Sequence, residues 1–450
     1  MQPNVSQIIE CNIHDLGLHG EGIGAINNFT VFIQGALPKE FVRAKVTQVK
    51  KKYAIATLIS VLKQSKDRIN PKCPYFEKCG GCQIMHLSYD GQLFYKKKRI
   101  EDAFLRIAKL KLEKEVIMHK SPDEFAYRNK IQLPATKEQG VLKLGLYARG
   151  SHDIIPHDKC LIHSKLGEKI YTRVLQALEK SSLTPYDEKS MKGELRHVLI
   201  RTAVFNKEAL ITFITTKAPS CELKAVAKKI FDDLDEVKGI MHHKNAKATN
   251  AVFDRDFTNL FGRDHIFENL SNLSFKLSSA SFFQVNSFQA EKLYKRAIEL
   301  SGLTKNDTAL DAYCGIGTLT LLAAIKARHV TGIEVVPSAI DDAKGNMERN
   351  KISNVSFVCA KVEDKIHEMG ALDVVFLNPP RKGCDKHVIA TINKKRPKTL
   401  IYVSCDPATL ARDTKLLIEG GYKLDMLEGF DMFPQTMHVE TLAKFTLELP

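Results

Sequence analysis

Residues 310–324 read LDAYCGIGTLTLLAA, an apolar strand pattern that passes through a turn with two glycines into a helix pattern. Four more strand patterns follow along the chain, namely HVTGIE, VSFVCA, DVVFLN and TLIYVSC. Helical patterns separate the earlier ones, and residues 422–449 add two further strand patterns. Such alternation of strand and helix predicts a doubly wound, mainly parallel α/β sheet over residues 273–450.

The glycine turn indicates which ligand this sheet binds. Gly315 and Gly317 alone are a weak signal, because a tight turn between strand and helix needs glycine whatever binds there. Glu334 strengthens the signal, since an acid at the end of the next strand can accept hydrogen bonds from both hydroxyls of a ribose. The third glycine of the dinucleotide fingerprint is replaced by Thr320. The pattern therefore favours S-adenosylmethionine over NAD or FAD, with Tyr313 either lining the pocket or packing in the core.

The fourth strand pattern ends in FLNPPRKGC, residues 376–384. An Asn-Pro-Pro motif at this position of a methyltransferase sheet is typical of transfer to an exocyclic or amide nitrogen. Those enzymes place an aromatic residue after the motif to stack on the target base, whereas Arg381 follows it here. Methylation of an amino group is therefore the second hypothesis for the function of this chain.

The fifth strand pattern ends at Cys405 in YVSCDPATLARD. A lone cysteine is often a small buried hydrophobe, but strand carboxyl ends are where doubly wound sheets build their sites. A poorly nucleophilic acceptor such as C5 of uracil needs a thiolate to add at C6 before it can accept a methyl group. A base must then remove the C5 proton, and His438 and Glu440 are the candidates downstream.

The 450 residues predict two or three domains. Residues 1–64 carry short alternating strand patterns with glycine-rich turns, which predicts a small β-barrel of the kind that binds nucleic acid. Residues 65–272 mix strands and helices and form a central α+β domain. Within it, a basic strand pair presents Arg128, Lys130 and Arg149 either to RNA or simply to solvent.

Three cysteines of the central domain, Cys73, Cys79 and Cys82, follow the spacing C-x5-C-x2-C, and Cys160 is a fourth candidate ligand. The other cysteines are dispersed. In a reducing compartment such a cluster indicates metal binding more than disulfides. The spacing fits tetrahedral zinc and an iron-sulfur cluster equally well.

Composition narrows the class of partner. Lys and Arg outnumber Asp and Glu by 67 to 52, giving a net charge of +15, and the basic runs are dispersed as a large polyanion requires. No apolar run approaches the roughly 20 residues of a membrane helix, and the N-terminus lacks a signal-peptide pattern. We therefore expect a cytoplasmic protein, monomeric, with a nucleic-acid partner and no membrane or protein partner. The third hypothesis for the function is a non-enzymatic iron-sulfur protein that binds RNA.

Several stretches together resemble the RNA uracil-5 methyltransferase family. They are SFFQVN (281–286), LDAYCGIGTLTL, GIEVVPSAIDDAKGN (332–346), NPPRKG (378–383), YVSCDPATLARD and HVETLAKF (438–445). Residues 17–62, which include the GALP turn and a lysine-rich strand, resemble a TRAM domain, an RNA-binding barrel attached to RNA-modifying enzymes. The likeness covers most of the chain.

The resemblance implies a class I S-adenosylmethionine-dependent methyltransferase sheet in which Cys405 is the nucleophile and Glu440 the proton-abstracting base. It further implies that Gln284, Tyr313 and Glu334 contact S-adenosylmethionine. Asn378 belongs to the same cofactor site but departs from the family, which usually has Asp there. Asn keeps hydrogen-bonding capacity and loses the negative charge.

The resemblance also implies that the four clustered cysteines, Cys73, Cys79, Cys82 and Cys160, hold a [4Fe-4S] cluster. In this family, the combination of a TRAM barrel and a cluster favours 23S ribosomal RNA as the substrate. A transfer RNA uridine is the alternative. Phe282, in SFFQVN, either stacks in the flipped-base geometry or packs in the core.

Overall fold

The computed structural model describes residues 2–246 and 257–448. Residues 2–63 form a closed barrel with the strands β1 (Ile8–Leu16), β2 (Gly22–Ile26), β3 (Phe29–Gln34), β4 (Phe41–Val49) and β5 (Tyr53–Lys63). The strands are joined in the order β1-β2-β3-β5-β4, and β4 pairs back with β1. Ile9, Cys11 and Ile13 point inward and the residues between them point outward, which is the period of two that the sequence shows.

The central part of the chain contains a mixed sheet with helices on one face. The elements of this part of the chain are α1 (Tyr89–Ala103), a π-helix (Phe104–Ala108), β6 (Ile117–His119), β7 (Lys130–Glu138), β8 (Val141–Tyr147), β9 (Ile154–Pro156), α2 (Lys165–Glu179), β10 (Leu195–Ala203), β11 (Glu208–Thr215), α3 (Cys221–Asp233), β12 (Val237–Lys244) and β13 (Phe257–Gly262). The sheet order is β13-β12-β11-β10-β7-β8-β9, and α2 and α3 pack on it. Every residue of β10 is buried, so both faces of the sheet are covered there.

The C-terminal part is a doubly wound sheet, as the sequence predicts. Its elements are β14 (His265–Leu270), β15 (Leu273–Ser278), α4 (Ser287–Ser301), β16 (Thr308–Ala312), α5 (Thr318–Ala324), β17 (His329–Glu334), α6 (Pro337–Arg349), β18 (Val355–Cys359), α7 (Val362–Lys365), a 3-10 turn (Ile366–Glu368), β19 (Val374–Leu377), α8 (Lys386–Lys395), β20 (Thr399–Ser404), α9 (Pro407–Glu419), β21 (Tyr422–Phe430) and β22 (Glu440–Leu447). The order is β18-β17-β16-β19-β20-β22-β21-β6, and β14 pairs with β15 as a separate hairpin. Strands β16 to β20 are parallel, whereas β22 runs antiparallel to β20.

The structure connects the central and C-terminal parts more closely than the predicted boundary between residues 272 and 273 implies. That boundary falls in the turn of the β14–β15 hairpin. Strand β6 pairs with β21 at the edge of the C-terminal sheet, and Ile100, Phe104 and Ala108 pack in the core shared with α8 and α9. The sequence of a short apolar segment does not indicate which of two sheets that segment packs against.

A buried ion pair anchors α1 to the loop between β21 and β22, which comprises residues 431–439 and is called the 431–439 loop below. The Lys96 ammonium donates to Asp431 Oδ1 at 2.5 Å, and neither side chain is exposed to solvent. Lys96 also donates to the Phe433 carbonyl, and Arg99 Nη1 donates to the Met437 carbonyl at 2.8 Å. Breaking one partner of such a buried pair is costly, so α1 holds this loop firmly.

Membrane-spanning segments were sought across the described ranges. Each helix found there is too short or too polar to cross a bilayer.

Candidate active site and cysteine centre

Cys405 and Glu440 face each other because of the strand pairing between β20 and β22. Ser404 at the end of β20 is opposite Thr441, whose Oγ1 donates to the Ser404 carbonyl at 2.8 Å. Cys405 follows Ser404 and Glu440 precedes Thr441, so the two residues are neighbours of this pair, and the Glu440 carboxylate acts electrostatically on the Cys405 thiol. The sequence prediction named both residues, and the structure brings them together at the carboxyl edge of the parallel strands.

The Cys405 thiol is half-buried, immediately before Asp406, the residue that caps the N-terminus of α9. Burial, and secondarily the nearby Glu440 carboxylate, raises the pKa of the Cys405 thiol to about 11. The positive charge of Arg381 acts in the opposite direction. In the free protein the thiol therefore keeps its proton, and Arg381 is the neighbour that favours the thiolate.

Glu440 is the better placed of the two candidate bases. It is only 2% exposed, and burial raises the pKa of its carboxyl to about 8, so its affinity for a proton is close to what a general base needs at neutral pH. Desolvation, followed by the cations Arg381, Arg99 and Lys96, lowers the pKa of His438 to about 4. The imidazole is thus a poor proton acceptor at the pH where the carboxylate becomes available.

A cleft of about 360 Å³ opens at the carboxyl end of β16. Tyr313, Gly315 and Asn378 line it. Gly317 has a left-handed φ of 82°, and a Cβ there would lie 3.0 Å from the Phe357 ring, so the turn requires glycine at this position. The cleft fits the sequence prediction of a nucleoside-binding turn without a pyrophosphate site.

Phe282 also lines this cleft, and its side chain is 66% exposed. The interpretation of Phe282 as a core residue is therefore wrong. An exposed aromatic ring beside the cleft remains available to stack on a planar ligand.

Glu334 ties the end of β17 to the glycine turn. Its Oε2 accepts a hydrogen bond from the Gly315 N–H at 3.1 Å, and its Oε1 accepts one from the Val336 N–H at 2.9 Å. Each carboxylate oxygen has a second lone pair, so both can still accept from the two hydroxyls of a ribose. The side chain is thus fixed in orientation before any ligand binds.

Gln284 is buried and does not line the cleft, but its side chain is hydrogen-bonded to the phenol of Tyr294, a lining residue. Sequence reasoning missed Asp311, which also lines the cleft. Thr320 Oγ1 donates to Asp311 Oδ2 at 2.6 Å, while Oδ1 has no partner among the residues described, and burial raises the pKa of the carboxyl to about 7. An acid inside the apolar strand LDAY was the signal that could have identified it.

The four clustered cysteines line one cavity. They are Cys73, Cys79, Cys82 and Cys160, and their neighbours in the lining include Phe76, Leu146 and His157. The Gly81 N–H donates to Cys79 Sγ at 3.4 Å. Burial raises the pKa of the Cys82 thiol strongly and that of the Cys160 thiol to about 12, so without a bound cation these thiols stay protonated.

The spacing of the sulfur atoms tests which metal centre fits. Four cysteines around one zinc ion, with Zn–S bonds of about 2.3 Å, require sulfurs roughly 3.8 Å apart. Across residues 2–246 and 257–448, however, no three cysteine sulfurs lie within 4.8 Å of one another. Donor atoms of His157, Cys160 and His163 do lie within that distance, which makes them a second candidate group. In this conformation the four thiols are therefore not spaced as ligands of one zinc ion, and His157, Cys160 and His163 are the group with metal-ligand spacing among the residues described.

Arg149 does not face solvent or RNA, contrary to the interpretation of a basic strand pair. Its guanidinium donates to the carbonyls of Phe76, Cys79 and Cys82, and it lies over the Phe76 ring. Arg149 is therefore a structural clamp on the cysteine segment. Its charge on a predicted strand did not reveal this role.

Comparison with known proteins identifies the family. The sequence profile described as tRNA (uracil-5-)-methyltransferase matches residues 88–445, and that of the TRAM domain matches residues 3–59. The chain belongs to the tRNA (uracil-5-)-methyltransferase family. Its N-terminal barrel is a TRAM domain.

The chain is similar to other proteins of the family along nearly its whole length. A protein of Clostridium tetani is 40% identical over 439 residues, covering 96% of this chain and 95% of its own. One of Staphylococcus aureus is 42% identical over 439 residues, covering 96% and 97%. Both carry the name uncharacterized RNA methyltransferase.

A solved structure supports the same assignment. The tRNA (uracil-54, C5)-methyltransferase of Pyrococcus abyssi, in complex with S-adenosyl-L-homocysteine, has a TM-score of 0.79 and 26% identity. The match covers 97% of this chain and all of that one. This family member is thus an RNA methyltransferase with S-adenosylmethionine as its methyl donor.

The fixed Glu334 carboxylate leads to a testable prediction for this RNA methyltransferase. Glu334→Gln keeps the side-chain length but replaces one oxygen acceptor with a donor and removes the charge. We expect the affinity for S-adenosylmethionine to fall by about tenfold to a hundredfold, since hydrogen bonds to a charged group contribute about 1.5–3 kcal/mol. Isothermal titration calorimetry measures this, with the exposed Glu348→Gln on α6 as the control. Equal affinities for the two variants would contradict a role of Glu334 in cofactor binding.

Proposed function

We propose that the protein methylates C5 of a uridine in 23S ribosomal RNA through a transient covalent bond between Cys405 and C6 of the base. The observation that supports the proposal is the proximity of the Cys405 thiol to the buried Glu440 carboxyl, each next to a residue of the paired Ser404 and Thr441. A nucleophile and a base on one strand pair, beside a nucleoside cleft, are what addition and elimination at a pyrimidine require.

In the first step, the Cys405 thiol loses its proton to solvent water as the uracil binds, and the sulfur adds to C6. The C5=C6 electron pair moves into the ring and forms an enolate with nucleophilic character at C5. Arg381 favours the thiolate by its charge. Because the free thiol has a pKa of about 11, this step depends on the bound substrate, which limits side reactions of the cysteine.

In the second step, C5 attacks the methyl carbon, and the carbon–sulfur bond of the donor breaks. S-adenosylmethionine supplies this electrophilic methyl group. Tyr313, Glu334 and Asn378 are the residues proposed to hold the donor, with Gln284 acting through Tyr294 in the conformation described here. Asn378 lines the cleft, where its amide can donate and accept hydrogen bonds without adding a negative charge near the substrate.

In the last step, Glu440 removes the proton from C5. The electron pair of that C–H bond re-forms the C5=C6 double bond, and the bond between C6 and Cys405 breaks to return the thiolate. With a pKa of about 8, about a tenth of the Glu440 carboxyls are ionised at pH 7. The elimination step therefore uses the ionised fraction of a buried acid.

Several features support a structured RNA as the substrate. The net charge of +15 favours a polyanion, and a TRAM barrel accompanies the catalytic sheet. A uracil in folded RNA must leave its stack before C6 can be reached, and the exposed Phe282 ring beside the cleft can stack on a flipped nucleotide.

A second candidate substrate is a uridine of transfer RNA. It is favoured by the Pyrococcus abyssi enzyme, which acts on tRNA and matches 97% of this chain. An alignment of that extent includes the barrel region, so a TRAM-type barrel alone does not separate the two substrates. What supports 23S RNA is the barrel in combination with the four-cysteine centre.

We further propose that Cys73, Cys79, Cys82 and Cys160 hold a [4Fe-4S] cluster. An all-cysteine donor set, an apolar cavity and sulfurs too far apart for one zinc ion support this assignment. The alternative is a mononuclear ion on His157, Cys160 and His163. The cavity shares no lining residue with the cleft at the end of β16, so the centre has a structural role in this proposal.

The RNA target is tested by mapping 5-methyluridine. Ribosomal and transfer RNA from a deletion strain and its parent are digested and analysed by mass spectrometry. We expect a 5-methyluridine of 23S RNA to disappear in the deletion strain and to return with the wild-type gene. Loss confined to transfer RNA would assign the second substrate, and loss of an N-methylated base would support amino methylation instead.

The covalent step is tested with RNA that contains 5-fluorouridine at the target. Fluorine at C5 cannot be removed as a proton, so the wild-type protein is expected to stay bound to the RNA covalently on a denaturing gel. Cys405→Ala is expected to form no adduct and to lose methylation by at least about a thousandfold, since the nucleophile is absent. Cys359→Ala, at an exposed cysteine of the same domain, is the control. Methylation at an undiminished rate in Cys405→Ala would refute the mechanism.

The nature of the cysteine centre is tested by metal analysis of protein purified without oxygen. We expect about four iron atoms and as many sulfides per chain, with a broad visible absorption that is lost in Cys79→Ala. His163→Ala serves as the matched comparison, because it removes the mononuclear candidate and leaves the four cysteines. One zinc ion per chain, lost in His163→Ala and retained in Cys79→Ala, would contradict the cluster assignment.

A further inference from the structure

Gln435, in the 431–439 loop, has a conformation that its surroundings impose. Its φ is 70°, a left-handed value that is unfavourable for a residue with a Cβ, and it is only 2% exposed. The Gln435 N–H donates to Gln92 Oε1, and Gln92 Nε2 donates back to Gln435 Oε1, both at 3.0 Å. A strained backbone of this kind persists only where neighbouring contacts fix it.

The cysteine segment supplies two of those contacts. The Gln435 carbonyl accepts hydrogen bonds from the Gln83 N–H at 3.0 Å and from the Ile84 N–H at 3.1 Å. Gln83 directly follows Cys82, whose own carbonyl is held by Arg149. A metal centre bound to the Cys82 sulfur would therefore fix the backbone that in turn fixes Gln435.

The other end of the same loop leads to the proposed base. Gln435 is five positions before Glu440, and the residues between them are packed or bonded. Met437 is buried and its carbonyl accepts from Arg99, while the His438 N–H donates to Thr436 Oγ1. A displacement of Gln435 is thus passed along a short, restrained path to the start of β22.

We propose that Gln435 is a positioning residue that makes the placement of Glu440 depend on the metal-bound state of the cysteine segment. The inference rests on the proposed function, because it assumes that Glu440 removes the C5 proton. It gives the cysteine centre a part in the reaction without any contact with the substrate: an intact centre keeps the base in position, and loss of the metal releases it.

The proposal has a specific chemical signature. Addition of Cys405 to C6 and transfer of the methyl group to C5 do not need Glu440 as a base for the C5 proton. When the base is displaced, these steps proceed, but the C5–H electron pair cannot re-form the double bond and expel the thiolate. The methylated RNA then stays covalently attached to Cys405.

The test is a single-turnover reaction with ordinary uridine RNA, resolved on a denaturing gel into free and protein-bound methylated RNA. The samples are wild type, Gln92→Leu, and wild type from which the metal has been removed with a chelator. Gln92→Leu removes both side-chain bonds to Gln435 and leaves the reacting residues unchanged. We expect product release to slow by about tenfold or more in the last two samples, with methylated adduct accumulating.

Gln139→Ala is the matched control, since Gln139 is also a left-handed glutamine but lies exposed in the turn between β7 and β8. A second measurement excludes general misfolding: trapping on 5-fluorouridine RNA and affinity for S-adenosylmethionine should stay within about twofold of wild type. Release of methylated RNA at the wild-type rate from metal-free protein or from Gln92→Leu would overturn the inference. An equal loss of trapping on 5-fluorouridine RNA and of product release would overturn it as well. Failure of the wild type to trap 5-fluorouridine RNA would instead refute the proposed function.

Discussion

The antiparallel hydrogen bonding between β20 and β22 is the constraint on which the site depends. In a parallel sheet, every strand presents its carboxyl end at one edge, and β16 to β20 do so here. A strand of the opposite direction presents its first residue at that edge instead. Reversal of β22 therefore brings Glu440 to Cys405, although 34 other positions separate them in the sequence. A slip of one residue in this register would turn Glu440 to the other face of the sheet.

Burial gives the groups at this edge their different chemical character. The thiol of Cys405 and the carboxyl of Glu440 both hold their protons more tightly than in water, with pKa values of about 11 and 8. The nearby imidazole of His438 is neutral because burial, and secondarily the neighbouring cations, lower its pKa to about 4. The low-dielectric surroundings thus keep the thiol, the carboxyl and the imidazole mostly uncharged before substrate binds, and the approach of a substrate changes that balance.

Sequence reasoning was most successful where a residue's role follows from its position in a regular element. The glycine turn, Tyr313 and Asn378 follow strand ends, so their convergence on one cleft could be predicted from strand order alone. The four cysteines were candidates from the sequence itself, whereas their assignment to a [4Fe-4S] cluster depended on family resemblance, because the spacing also fits zinc. Arg149 and the packing of α1 could not be predicted, since the partner of a charged or apolar side chain depends on tertiary contacts that no local pattern encodes. The pairing of β14 with β15 across the predicted domain boundary is likewise a tertiary contact that the sequence did not indicate.

The edge pairing of β6 with β21 has a consequence for how such a protein can evolve. Three residues from the middle of the chain, Ile117–His119, complete a sheet whose other strands all come after residue 307. Because α1 and the π-helix also cover one face of that sheet, the catalytic half is not a portable module that could be joined to a different partner by gene fusion. Recombination within residues 89–119 would leave an open sheet edge and an uncovered apolar face, both of which promote aggregation. The barrel has a core of its own, but Leu37 also packs against Leu87 and Tyr95, so its loss would expose apolar surface on the central part of the chain.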